Sequence, residues 1–261
     1  MKKSAKFCLF LMLTALFVYG EDKSPTGKDI MKKVFSRKES RVSRMEIDMI
    51  LINKRNRERK RSMLIMSKYF GNDKKSIFLF RSPSSVKGVK FLSHDYENPK
   101  KEDERWLFFP SLKRVKRIIG SSKNDYFMGS DLTYNDLRKR DENEETHKLI
   151  SEKESDGISY WIVESTPKSS MDLYSRQVSR IRKDALVPVE VDFFDKRGKL
   201  IKIMRVKELE KIEDYWVVKR LEVENVQKKH KTVLVIKKIE FNINIKDNIF
   251  LPSRLDSVRI N

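Results

Sequence analysis

Along most of this chain apolar and polar side chains alternate with a period of two. Met45, Ile47, Met49 and Leu51 alternate with Arg44, Glu46 and Asp48, the pattern of a strand with one apolar and one solvated face. A charged turn over 54–60 leads to a return strand at 61–69. Strand-length runs follow at 75–81, 88–94, 105–109 and 114–118, punctuated by Gly71-Asn72, Pro83 and Asn98-Pro99, which end pairing or turn the chain. The pattern lapses over roughly 119–145 and resumes near 147–154, 158–165, 174–182, 188–195, 199–209, 214–226 and 230–246, with tight-turn signals at Asp156-Gly157 and Arg197-Gly198. One early segment, 29–36, instead places Ile30, Met31, Val34 and Phe35 on a single helical face.

About a dozen strands with no intervening crossover helices predict a mainly β, antiparallel sheet of about 11–13 strands with few helices. In the last run Phe241, Ile243 and Ile245 point one way and Asn242, Asn244 and Lys246 the other. A sheet of this size with one apolar face can close as a barrel or curl around a helix, and it leaves room for a ligand. No low-complexity linker or internal repeat divides the chain, so residues 21–261 are expected to form one domain.

The first twenty residues change the setting. Lys2, Lys3 and Lys6 precede an apolar run from Phe7 to Tyr19, and Val18-Tyr-Gly20 offers a cleavage point before Glu21, the three zones of a secretory signal. At about 13 residues the run is short of the roughly 20 that span a bilayer. The only cysteine, Cys8, lies within the leader and away from the cleavage point, which excludes a lipid-anchoring cysteine and any disulfide in the mature protein. Cleavage also lowers the formal net charge of +20 by three. In an envelope compartment the polyanions that such a surface meets are lipid head groups and acidic glycans, and the export signal argues against nucleic acid.

Two dense segments carry a family resemblance. The first is Trp106-Leu-Phe-Phe-Pro-Ser-Leu-Lys-Arg-Val-Lys-Arg-Ile118, and the second is Asp125-Tyr-Phe-Met-Gly-Ser-Asp-Leu-Thr-Tyr-Asn-Asp-Leu137. In this order and proximity they resemble the outer-membrane lipoprotein-sorting proteins, the LolA/LolB-like carriers, and in particular their longer branch with a Phe-Met-Gly-Ser-Asp loop. Weaker likeness continues through the strand pair 189–200 and the turn 225–232. The resemblance implies a half-open antiparallel barrel with a helical lid, and a periplasmic carrier that moves acyl-bearing lipid or lipoprotein towards the outer membrane. It implies lipid or lipid-modified protein as cargo, and an inner-membrane lipid exporter and an outer-membrane acceptor as candidate partners, with peripheral membrane contact. Neither a cofactor nor catalytic residues come with it.

Within these segments Trp106, Phe108, Phe127, Met128, Leu132 and Tyr134 are the expected apolar ligand contacts, meeting at a cavity mouth, with Met128 as an adaptable thioether. Lys113, Arg114, Lys116 and Arg117 alternate across both faces of their strand and are expected to form a basic rim for an anionic partner. Ser130 or Asp131 could cap a short helix running to about Arg140, and the glycines and serines of 119–129 offer a hinge. The same segment read as a plain core plug is the competing expectation.

An envelope lipid hydrolase is the alternative function, and an adaptor for a lipid-export complex stands third. Ser130 with His94, His147 or His230 would have to supply the chemistry, yet no Gly-x-Ser-x-Gly elbow occurs, and scattered histidines are expected at the surface. Asp125, Asp131 and Asp136 are not spaced to share a helical face, and no His-Glu-x-x-His or phosphate-binding loop occurs, so no metal site is expected.

Overall fold

The computed structural model describes residues 24–98, 100–138 and 141–259. The predicted leader, residues 1–20 with Cys8, and the expected helix end at Arg140 lie outside the described residues. Helix α1 spans Gly27–Phe35. Thr26 caps it by accepting from the Asp29 amide while Asp29 returns a bond to the Thr26 amide, a reciprocal pair that satisfies two otherwise orphaned donors.

Six strands follow: β1 (Val42–Ile52), β2 (Glu58–Phe70), β3 (Asp73–Ser82), β4 (Lys90–Asp95), β5 (Glu104–Phe109) and β6 (Arg114–Arg117). After an irregular stretch come β7 (Glu145–Ser155), β8 (Ile158–Pro167), β9 (Arg176–Arg182), β10 (Val187–Phe194), β11 (Leu200–Ile212), β12 (Tyr215–Asn225) and β13 (His230–Phe241). All thirteen join one antiparallel sheet in the order β6-β5-β4-β3-β2-β1-β13-β12-β11-β10-β9-β8-β7. The chain meanders outwards from β1 to β6, then returns from the far edge until β13 pairs β1. The sheet stays open, because β6 and β7 each have one neighbour.

Facing residues of an antiparallel pair share a side of the sheet, so register traces each face across the strands. Ile47, Met49 and Leu51 of β1 face Ile236, Leu234 and Thr232 of β13. Leu234 faces Leu221, which faces Val206, and the row through Val223, Met204, Val191, Ser179, Val163 and Leu149 continues to the far edge. This is the inner face. Its β7–β9 flank is covered by α1, whose Ile30, Met31 and Val34 pack on Trp161, Val163 and Ile181. Gly27 permits the approach, since a Cβ there would lie 2.7 Å from the His147 carbonyl. The β1–β5 flank is covered by the irregular segment after β6, with Phe127 and Tyr134 in the cluster of Ile47, Met49, Met63, Phe80 and Phe91.

The outer face of β2–β5 is covered by the C-terminal segment, with Ile245, Ile249, Phe250 and Leu255 against Leu64, Ile77 and Leu92. The run expected to extend to 246 therefore stops early. Asn242 takes a left-handed conformation (φ 53°), which asparagine adopts more readily than most residues, and turns the chain so that Ile243 and Ile245 join the outer cluster while Phe241 stacks with Tyr215.

Candidate functional site

The segment from Ile118 to Arg138 forms short 3-10 turns at Gly120–Asn124, Phe127–Gly129 and Asn135–Leu137, not the helix expected from Ser130 or Asp131. Its centre is Phe127, 1% exposed, with ring centroids at 5.2 Å from Phe91, 5.6 Å from Tyr134 and 5.9 Å from both Phe78 and Phe80. A bridge between Tyr126 and Thr133 closes the loop that presents this ring. Met128 at its apex has φ 48°.

Polar bonds fasten this lid to one end of the inner face. The buried Asp131 carboxylate accepts from the Thr232 hydroxyl at 2.7 Å and lies 2.7 Å from His230 Nδ1, while the Asp131 amide donates to Thr232 Oγ1. Asn225 donates to the Tyr126 hydroxyl at 2.9 Å, and Lys228 stands over the Tyr126 ring. Lys202 reaches Asp136 at 2.6 Å, and Arg61 donates to the Met128 carbonyl. Burial pushes the Tyr126 and Tyr134 hydroxyls up in pKa, so both remain neutral at ordinary pH.

The expected meeting of aromatic residues is thus divided. Phe127, Met128 and Tyr134 gather over the inner face, and Leu132 is buried in the same loop. Trp106 and Phe108 do not join them. Alternation along β5 sends Leu107 and Phe109 inwards and turns Trp106 and Phe108 to the outer face, where Trp106 stacks on His94 at 4.9 Å and Phe108 lies under Lys90. Lys113, Arg114, Lys116 and Arg117 are all exposed. Arg117 pairs with Glu104 at 2.6 Å, whereas the other three have no carboxylate partner among the described residues.

Between lid and α1 the inner face has a partly covered apolar floor, with Leu234 and Ile236 packed against the lid-side cluster. Val206, Leu221, Leu234 and Ile236 are half-buried, and register places them side by side across β11, β12 and β13 beside Met45 and Ile47 of β1. A groove of about 770 Å³ is lined mostly by charged and polar residues of the β4–β5 connection, the segment before β7 and the β8–β9 connection. In it Arg105, 1% exposed, pairs with Asp95 at 3.2 Å and Asp103 at 3.5 Å, and Arg138 joins Asp103 to Glu144. Burial raises Asp95 to about 6 against the pull of Arg105.

Of the histidines expected at the surface, His94 is buried, and His147 and His230 are half-buried and engaged in hydrogen bonds. His94 bonds the Phe250 carbonyl at 2.8 Å. His147 lies between Ser165 Oγ (2.7 Å) and the Glu142 carbonyl (3.0 Å), but that serine is 0% exposed. Ser130 donates to the Phe127 carbonyl at 2.7 Å, a turn-closing bond, and among the described residues no histidine contacts it. No cluster of three or more His, Cys, Asp or Glu able to hold a metal occurs among the described residues. Sequence reasoning missed Lys202, Asn225 and Thr232 as lid fasteners.

An open antiparallel sheet with one helix and a looped lid on the same face is the LolA-like fold, and the comparisons agree. A LolA superfamily protein from Nitrosomonas europaea superposes with a TM-score of 0.68 at 19% identity, covering 87% of this chain and 98% of that one. An outer membrane lipoprotein-sorting protein domain from Vibrio parahaemolyticus gives a TM-score of 0.82 at 28% identity, covering 88% and 98%. A DUF1329 family protein from Desulfovibrio piger gives 0.83 at 33% identity, covering 88% and 97%. A family model described only as an uncharacterized protein matches residues 72–257, and no curated protein matches. The chain belongs to the DUF1329 family.

Proposed function

We propose that this protein is a non-catalytic carrier that holds acyl chains of a lipid or lipid-modified protein on the inner face of its sheet and moves them across the periplasm towards the outer membrane. The observation that carries this reading is the contiguous, half-buried apolar floor of Val206, Leu221, Leu234 and Ile236 between α1 and the lid. Contiguous apolar surface left open to solvent marks a binding site. Burying about ten methylenes there would contribute roughly 8 kcal/mol before ordering costs.

Phe127, Met128, Leu132 and Tyr134 close over the cargo from the lid side, and Met128 adapts to its shape. The outer-membrane lipoprotein-sorting title of the Vibrio relative supports the direction, and the leader-like N-terminus supports export. Against a hydrolase stand the Ser130 hydroxyl, spent on its own turn, and the buried Ser165. An inner-membrane exporter would load the carrier and an outer-membrane acceptor would empty it.

The test is mass spectrometry of organic extracts from protein purified without detergent. Acyl-bearing species near equimolar amounts are expected, with loss in Leu221→Glu/Leu234→Glu. Their absence from the wild type, or equal amounts in both proteins, would overturn the reading.

A further inference from the structure

In a meandering antiparallel sheet, alternate turns lie at the same end of the strands, and here the two ends differ in charge. One end carries the β1–β2, β3–β4, β5–β6, β8–β9, β10–β11 and β12–β13 connections, and five of these six tips, all but β8–β9, are strongly basic. The β1–β2 tip exposes Lys54, Arg55 and Arg57, and β2 opens with exposed Arg59. Neighbouring tips add Lys87, then Lys113 with Arg114. On the other side of β1 the β12–β13 tip exposes Lys228 and Lys229, and the β10–β11 tip exposes Lys196, Arg197 and Lys199. None of these cations pairs with a carboxylate among the described residues. Glu58 and Asp195 are the only acids on these five tips, while the β8–β9 connection at the same end carries Asp172. The opposite end mixes signs: Asp156, Asp184, Glu213 and Asp214 stand there with Lys100, Lys101, Lys183 and Lys211.

We propose that this basic crown, running from β10 round through β13 and β1 to β6, is a docking surface for an anionic lipid bilayer. Its cations are spread over five successive tips, and none of those five carries an aromatic residue. A protein interface is centred on buried aromatic or arginine anchors in well-packed pockets, whereas an anionic bilayer attracts any dense array of Lys and Arg within a Debye length. Self-repulsion among unpaired like charges is an electrostatic cost that a negative surface removes. The crown also adjoins the lid fasteners, since Lys228 covers the Tyr126 ring and Arg61 holds the Met128 carbonyl. Docking therefore sets the lid end of the molecule against the membrane. The proposal stands on the charge layout and does not depend on what the inner face binds.

The experiment is co-sedimentation of the protein with vesicles of phosphatidylcholine alone, or with roughly one-third phosphatidylglycerol, at low and high salt. Binding is expected only to the anionic vesicles and is lost at high salt. The crown variant R55Q/R57Q/R114Q/R197Q should bind two to three orders of magnitude more weakly, about fivefold for each cation removed. The control K100Q/K101Q/K207Q/K211Q, altered towards the other end, should bind like the wild type, and circular dichroism would confirm that both variants fold. Equal binding to neutral vesicles, or equal losses in the two variants, would overturn the proposal. So would the absence of binding to anionic vesicles, which would turn the crown towards an acidic protein surface instead.

Discussion

The Asp136 carboxylate and the Lys202 ammonium meet at 2.6 Å across the boundary between lid and sheet, with both side chains almost wholly out of water. Lys202 also lies beside the rings of Phe193 and Tyr174, 4.2 and 4.7 Å from their centroids. A buried ion pair gains little net stability, but removing one partner leaves an uncompensated charge in a medium that solvates it poorly. Asp136→Leu is therefore expected to destabilise the protein by about 3–5 kcal/mol, whereas Asp136→Leu/Lys202→Met should recover much of that loss. Urea unfolding of the two variants and the wild type checks this. If the double variant is as unstable as the single one, the pair is not the unit that holds the lid.

The thirteen strands were legible because period-two alternation is a direct consequence of sheet geometry, and each run of alternation corresponds to a strand in the structure. The lid was legible in composition but not in conformation. Phe127 and Tyr134 signal burial by their size, while the turns that aim them depend on Ser130 closing a loop and on Thr232 receiving Asp131 from a strand about a hundred residues away. Local pattern contains no such information. Lys202 shows the same limit: in the run Leu200-Ile-Lys-Ile-Met both faces are apolar enough to be buried, so nothing marks the lysine as inward. For Trp106 and Phe108 the alternation was visible, with the two on one face and Leu107 and Phe109 on the other, but which face met the lid was fixed only by the C-terminal segment covering the outside.

His94 should make stability fall in mild acid. Burial lowers its pKa from 6.5, outweighing the opposing pull of the Phe250 carbonyl, so the folded state holds the ring neutral while the unfolded chain takes up a proton. This stability is present above the unfolded value and is lost as pH falls through the folded one. The adjacent Asp95 acts oppositely: with its folded pKa raised from 3.8 to about 6, it protonates first in the folded state and offsets part of the loss. Chemical unfolding at about pH 7.5 and about pH 5.5 should show a smaller drop for His94→Asn than for the wild type and a larger drop for Asp95→Asn. His147 is shifted down as well, so the His94 variant keeps some dependence. Identical drops in all three proteins would refute the assignment.

Release is the harder requirement for a carrier, because a lid fastened by Asp131, Tyr126 and Asp136 must come away from the sheet to expose the part of the floor that it covers. The segment preceding these contacts is held only at its surface, by Lys123 on Glu102 and Asn124 on the Met171 carbonyl: Gly120, Ser121 and Ile119 are exposed, Gly120 has φ 54°, and the turns at Gly120–Asn124 contain no buried residue. Opening would therefore pivot there, with the Phe127 ring leaving its aromatic neighbours. Asp131 and Thr232 give a direct way to forbid that movement, since their side chains meet at 2.7 Å and Cys8 is the only native cysteine. In a Cys8→Ser background, Asp131→Cys/Thr232→Cys oxidised to a disulfide should keep the fold while blocking transfer of a fluorescent lipid between protein and vesicles. Reductant should restore transfer in the same sample, which separates the effect of the crosslink from that of losing the Asp131 carboxylate. Equal transfer rates before and after reduction would leave residues 127–137 as a fixed plug of the core and send the search for the cargo entrance elsewhere on the inner face.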